Sequence, residues 1–396
     1  MTQHPIDIAI IGAGPVGASL ALTLSNAGRS VLLVDRAALP PMEHPDFDGR
    51  AYAIALGSRA LLDSAGVWDV LPFPPCPIER IRVSDGKVGR PASPMFLHFD
   101  HRDIGDDPFG WIVEARSLRM AINRQLAASK VVLRAPAQAR VTRHADHAVV
   151  EVTGQDSYRA RLVVAADGRA SALRNEAGIP VTRFAYRQSA VVCAIAHEQP
   201  HHHVALEHFL PGGPFAQLPM SDSNGEHISA IVFTESHDIA RRLSAMDDAG
   251  FTTEVARRLG DHLGAVRLIG KRWTYPLSAL HAHRYYAPRL ALVGDSAHGV
   301  HPIAGQGLNL GLRDGLVLAQ LIEAADDPGT MALLARYQRA RRPDNLLMLA
   351  ATDALDRLFS TDLPPIRLAR DLGLAAVNRM PRLKRAFMRT AMGLSE

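Results

Sequence analysis

The residues best suited to chemistry in this 396-residue chain are glycines and carboxylates placed at the ends of apolar runs. Gly12, Gly14 and Gly17 stand directly after the apolar stretch that ends at Ile11. Glycines at that spacing permit a tight turn, let backbone N–H groups approach a pyrophosphate, and let the following helix pack closely on the strand. Asp35 closes the next apolar run, Val31 to Val34, where a carboxylate can accept hydrogen bonds from an adenosine ribose. These four residues predict an adenine dinucleotide site without saying which dinucleotide.

Two more apolar runs end in the same way. Leu162 to Ala165 leads into Asp167-Gly168-Arg169, and Leu290 to Val293 leads into Gly294-Asp295-Ser296-Ala297-His298. A long glycine-rich segment follows, His301-Pro302-Ile303-Ala304-Gly305-Gln306-Gly307-Leu308-Asn309-Leu310-Gly311-Leu312-Arg313-Asp314. Asp-Gly by itself is an ordinary turn. In the company of the other motifs it marks a third strand end.

The elements that must position these residues can be read from periodicity. The first motif predicts strand, glycine turn and a helix from Ala18 to Ala27 stopped by Gly28; after Gly305, Leu308, Leu312, Leu316 and Ala319 are spaced for one helix face. The three strand ends lie far apart in sequence, and a parallel sheet would gather them at one edge. Between them, from about Arg187 to Tyr275, short strand-like runs such as Ile228 to Phe233 predict an antiparallel sheet. From about Asp326 onward the pattern is helical and rich in arginine.

Composition narrows the function classes. With 47% hydrophobic and 21% charged residues the chain is an ordinary globular protein, and a net charge of +4 from 44 basic and 40 acidic side chains does not call for nucleic acid. No run approaches the ~20 apolar residues of a membrane span. No basic segment precedes an apolar one at the start, so no signal peptide is expected, and the cytoplasm is the expected compartment. Cys76 and Cys193 are too few for a disulfide framework or a cysteine-based metal site. His201-His202-His203 would alternate faces in a strand and has no carboxylate or cysteine cluster beside it, so no metal is expected.

The segment from His301 to Asp314, with Gly294-Asp295 before it, resembles position for position the signature of the ubiquinone-biosynthesis hydroxylase family. That family is a branch of the flavoprotein monooxygenases related to para-hydroxybenzoate hydroxylase. Ala51 to Leu56 after Asp48-Gly49-Arg50, the run Ala165 to Arg174, and Glu207, Phe209, Gly213, Pro214, Ala216, Leu218 and Pro219 are similar to further family segments.

The resemblance implies an α/β fold: a Rossmann-like FAD-binding domain (1–75, 100–186 and 275–325), an inserted antiparallel substrate domain (76–99 and 187–274), and a C-terminal helical region (326–396). It implies that Gly12, Gly14, Gly17, Asp35 and Arg36 hold the ADP half of FAD, and that Arg50 and Arg116 reach its phosphate and ribityl region. Asp295 is implied at the ribityl hydroxyls, and Asp167 beside the cofactor and the nicotinamide approach. Pro302, Gly305, Gln306, Gly307, Leu308 and Asn309 are implied along the isoalloxazine edge. Such a turn aims N–H groups and the positive end of a helix where reduction leaves negative charge.

The implied reaction is ring hydroxylation of a polyprenylated phenol by O2 through a C4a-hydroperoxyflavin, with NAD(P)H as electron donor. Only one GxGxxG is present, so the nicotinamide is expected to lack a nucleotide domain of its own. No catalytic acid or base is visible in the sequence. Two other functions compete: the same chemistry on a small soluble aromatic acid, and a flavoprotein scaffold subunit of a biosynthetic complex. A lipid-borne substrate also suggests a peripheral contact with the inner membrane surface or with a ubiquinone-synthesis complex. From Met380, helical spacing puts Leu383, Phe387, Ala391 and Leu394 on one face and Arg382, Arg385 and Arg389 on the other, as in a basic amphipathic interfacial helix or, equally, in a terminal helix packed on its own domain through Leu383 and Phe387.

Overall fold

The computed structural model describes residues 3–39, 47–89, 96–154, 157–301, 305–359 and 380–394. The opening apolar run is the strand Gln3–Ile11, whose Ile8, Ala9 and Ile10 are all fully buried, so that both of its faces are covered. It pairs in parallel with Val31–Val34 on one side and Ser157–Ala165 on the other; Val132–Arg134 and Leu290–Leu292 extend the parallel sheet outward. Parallel strands need crossovers that return the chain to the same end. Gly12, Asp35, Asp167 and Gly294 therefore emerge at one edge, as their strand-end positions predict.

Helices Pro15–Asn26, Leu56–Ser64 and Gln306–Glu323 pack on this sheet through Leu20, Leu24, Leu61, Leu312 and Leu318. The last helix is buried more completely than its expected apolar face requires. Asn309, Arg313 and Asp314 are buried along with Leu310 and Leu312, because the helix lies between its two partners and the long helix Met331–Phe359.

A second sheet of eight strands runs in the order His298–Gly299, Val266–Ala282, Val181–His197, Glu226–Ser236, Gly213–Ser223, Val204–Leu210, Arg80–Asp85, Leu97–Asp100. It is antiparallel except where Arg80–Asp85 joins Val204–Leu210 in parallel, a pairing between segments distant in sequence. Helices His237–Ala245 and Asp248–Leu259 cover one face, burying Val191, Cys193, Phe215, Ile231 and Phe233 against Phe251 and Val255. The two 17-residue strands Val181–His197 and Val266–Ala282 run straight through the boundaries expected at 186/187 and 274/275. Their ladder is irregular between Ala185 and Ser189, and the lobes are joined by continuous strands rather than by linkers. A third, small sheet of Ala51–Ala55, Gly110–Glu114 and Cys76–Ile78 packs Ala51, Ala53 and Ile112 in one cluster with Ala205, Leu218 and Ala230 of the second sheet.

Candidate functional site

At the sheet edge the three glycines of the first motif have different reasons for being glycine. Gly12 has φ of +111°, and a Cβ there would lie 2.2 Å from the Ala166 carbonyl oxygen; a Cβ on Gly17 would lie 2.0 Å from that of Gly12. Both are fixed by close backbone approach. Gly14 has an ordinary φ of −65°, and a Cβ on it would meet nothing within 4 Å. No protein packing demands glycine there, so its missing side chain keeps the outer side of the loop clear. Helix Pro15–Asn26 starts at this point with no side-chain cap, so its first-turn N–H groups and its positive end face the same clearing.

Asp35 braces the loop. Its carboxylate accepts from the Ala13 N–H at 2.7 Å and the Ala37 N–H at 2.8 Å, and a carboxylate keeps lone pairs beyond these two for a ligand hydroxyl. Arg36 follows it, exposed.

The second strand end is locked to the first through glycines. A Cβ on Gly311 would fall 2.8 Å from Val16 Cγ2 and 3.1 Å from Gly294 Cα, so two helices and a strand end meet at a distance only glycine allows. Asp314, fully buried, accepts from the Gly294 N–H, His298 Nε2, Arg341 Nε and Asn345 Nδ2. Burial pushes its carboxyl up, but the charge and hydrogen bond of His298, with Arg341 and Asn345, outweigh this and hold it down to about 2. In the sequence Asp314 only closes the signature, and nothing in its spacing marks it as a buried anion. Asp295, by contrast, is exposed and accepts from Arg169 Nε at 3.3 Å, which joins the Gly294-Asp295 and Asp167-Gly168-Arg169 turns. One Asp167 oxygen accepts from the Ala172 N–H at 2.9 Å, while its Oδ1 is buried with no hydrogen-bond partner among the described residues.

Pro302, with Ile303 and Ala304, lies outside the described residues. Gly305 is left-handed, with φ of +63°, and opens helix Gln306–Glu323 without a side-chain cap. Asn309 is buried: its Oδ1 accepts from the Ala55 N–H at 2.8 Å and its Nδ2 donates to the carbonyls of Ala53 and Gly305. Its amide thus staples this turn to the small sheet. Gln306 is buried beside it, Leu308 packs on the core, and a Cβ on Gly307 would meet nothing within 4 Å.

Arg50 and Arg116 are neighbours, since the Ala115 N–H donates to the Arg50 carbonyl at 2.9 Å. Arg50 bonds Asp48 and lies 4.4 Å over the Trp273 ring; Arg116 bonds Glu114 and lies 4.1 Å over Phe73. The three consecutive histidines lie in a turn and not in a strand: His201 Nε2 bonds the Met220 carbonyl, the His203 N–H donates to His201 Nδ1, and His203 Nδ1 bonds Glu79.

The face of the second sheet away from its helices carries a row set by register: Trp273, Val192, Val232, Ala216, Glu207 and Val83 stand side by side on six adjacent strands. Flanking Glu207 in its strand, Ala205 packs with Met388, Met392 and Ala53, and Phe209 stacks on Phe359 at 3.8 Å. The row therefore faces the nucleotide-binding half, where Ala53 adjoins Gly305. Val192, Val232, Glu207 and Val83 are only partly buried there, and burial pushes the Glu207 carboxyl up to about 7. Glu207 belongs to a segment similar to the family's, but a lone glutamate in a strand carries no spacing signal that marks it as an ionisable group.

A clear glycine loop, two uncapped helix starts, an orphaned buried Asp167 oxygen and an exposed Asp295 at one edge suit an extended anionic dinucleotide. Comparison with known proteins agrees. Residues 5–92 and 117–351 match the profile of the FAD binding domain family. The chain is 48% identical over 393 residues to a protein of Rhodospirillum rubrum named ubiquinone hydroxylase UbiL, covering 98% of this chain and 89% of that one. It is 35% identical to the 3-demethoxyubiquinol 3-hydroxylase of Escherichia coli, covering the whole of both chains. Among solved structures, PqsL of Pseudomonas aeruginosa in complex with 2-aminobenzoylacetate superposes with a TM-score of 0.76 at 25% identity, over 90% of this chain and 97% of that one.

Proposed function

For a chain that belongs to the ubiquinone-biosynthesis hydroxylase family of FAD-dependent aromatic monooxygenases, we propose that the reaction is insertion of one oxygen atom of O2 into the ring of a polyprenylated phenol on the way to ubiquinone. Bound FAD supplies the oxygen activation and electron transfer. Gly12, Gly14, Gly17, Asp35 and Arg36 hold its ADP half, Arg50 and Arg116 its phosphate and ribityl region, Asp295 the ribityl hydroxyls, and Asp167 the nicotinamide side. Pro302 and the turn Gly305, Gln306, Gly307, Leu308 and Asn309 bear on the ring system, where the helix start favours negative charge. NAD(P)H is the electron donor and needs no second nucleotide fold.

The observation that supports a prenylated substrate is the row on the inner face of the second sheet. Trp273, Val192, Val232, Ala216 and Val83 are apolar, and the Arg50 guanidinium stacked on Trp273 at one end of the row is already paired with Asp48. An apolar wall also keeps water from the reacting ring. The test is deletion of the gene in its host followed by mass spectrometry of quinone precursors. A prenylated phenol lacking one ring hydroxyl should accumulate, and an unchanged precursor pool would refute the reading.

A substrate of that kind resides in lipid, and helix Pro381–Met392 is suited to reach it. Met388 and Met392 anchor one side in the protein, while Leu383 and Phe387 are 36% and 51% exposed and Arg382, Arg385 and Arg389 lie around the helix from them. This differs from a helix docked by Leu383 and Phe387, and it leaves them for an anionic bilayer interface. No helix among the described residues is long and apolar enough to cross a membrane.

A further inference from the structure

Glu207 stands alone as a carboxyl in an apolar row. Its register partners are Ala216 on one side and Val83 on the other, beyond Ala216 come Val232 and Val192, and among the described residues it has no hydrogen bond or ion pair. A carboxyl placed among apolar groups without a partner costs stability. Its charged form is disfavoured there, as the rise of its carboxyl to about 7 reflects. Yet Glu207, Val83, Val232 and Val192 all keep some accessible surface while facing the interior between the two halves. Glu207 is the ionisable group that this partly accessible row presents toward the nucleotide-binding half.

We propose that Glu207 is the residue that receives the phenolic hydroxyl of the substrate and takes its proton. This rests on the hydroxylase reading above. The phenolic O–H bond breaks as a carboxyl O–H bond forms on Glu207, and the electron pair left on the phenol oxygen is delocalised to the ring carbon that will be oxygenated. Oxygen and oxidising equivalents come from O2, reduced by the donor's two electrons through the flavin. The oxygenated ring tautomerises to the dihydroxy product, and the second oxygen of O2 leaves as water, taking up the proton Glu207 holds. A base that ionises near the working pH suits this exchange in both directions.

The test compares FAD-loaded wild type, Glu207→Gln and Glu207→Asp, with flavin content and circular dichroism confirming that each is folded. Binding of an ortho-prenylated phenol and of its O-methyl ether is followed by the change in flavin absorbance. A hydrogen bond to a charged group predicts that wild type prefers the phenol about tenfold to hundredfold. Glu207→Gln, whose amide oxygen accepts only a neutral hydrogen bond, should reduce that preference about tenfold, and Glu207→Asp should recover part of it. The acid limb near pH 7 in the wild-type kcat/KM profile should vanish in Glu207→Gln, with turnover reduced on the order of 10²–10⁴-fold. An unchanged preference for the phenol in Glu207→Gln, or an unchanged pH profile, would overturn the assignment. If the preference behaves as expected but no prenylated phenol is hydroxylated, the proposed reaction fails while the role of Glu207 in receiving the hydroxyl stands.

Discussion

The Gly294 N–H donates to Asp314 Oδ2 at 3.1 Å, so the end of the Leu290–Leu292 strand is held by a carboxylate on the helix that follows the glycine-rich turn. The same carboxylate bonds His298, Arg341 and Asn345. One buried anion thereby fixes the strand end that carries Asp295 relative to the helix start at Gly305.

Replacing Asp314 with alanine should destabilise the protein by about 3 kcal/mol, the lower end for breaking a buried ion pair, because Arg341 keeps its ion pair with Asp344 at 2.8 Å. Denaturant unfolding measures this, and a change under about 1 kcal/mol would mean the network is not coupled to folding. The pH dependence has a definite sign. The folded carboxyl is held at about 2, below its value near 4 in the unfolded chain, so its contribution is complete above about pH 4 and is lost as pH falls toward 2. Wild type should lose on the order of 2 kcal/mol from this group across that window. The alanine variant should lack that portion of the acid sensitivity.

Gly14→Ala and Gly17→Ala separate ligand from packing. A Cβ at Gly14 meets nothing, so that variant should melt within a degree or two of wild type without cofactor, yet bind FAD at least about tenfold more weakly because the methyl stands where backbone must approach the pyrophosphate. A Cβ at Gly17 would be 2.0 Å from the Gly12 carbonyl oxygen, and that variant should fail to fold normally. Calorimetry of the apoproteins with titration of FAD reads both. Unimpaired FAD binding by Gly14→Ala would show that the loop does not contact the cofactor.

Asp295→Ala should weaken FAD binding about tenfold to hundredfold, the value of charge-assisted hydrogen bonds from ribityl hydroxyls to an exposed carboxylate. Because Asp295 is exposed and its one described partner is Arg169, the fold should be little affected. Fluorescence titration with FAD gives the affinity, and an unchanged value in a folded variant would confine Asp295 to its pairing with Arg169.

The double variant Leu383→Ser and Phe387→Ser should keep its FAD and lose co-sedimentation with anionic liposomes, while wild-type binding should need anionic lipid and fall with added salt as the charges are screened. Both side chains are at least a third exposed, so little core contact is removed. Precipitation or loss of flavin would instead assign these residues to the core.

The strands and helices around the glycine motifs were legible because each motif combines a local backbone requirement with an apolar run, and both are properties of neighbouring residues. The run to Ile11, the turn at Gly12 and the carboxylate at Asp35 each announce themselves within a few positions. That Asp167, Asp295 and Gly305 would join them also followed, since parallel strands share a C-terminal edge. Tertiary structure decided what depends on partners far away in the chain. Asp314 is a buried anion only because Arg341 and Asn345 of another helix reach it, and Asn309 bonds backbone some 250 residues earlier. Glu207 became an ionisable group in an apolar wall only through the register of five other strands. Conformational preference and periodicity are local, whereas desolvation and charge pairing are set by whatever the fold brings alongside.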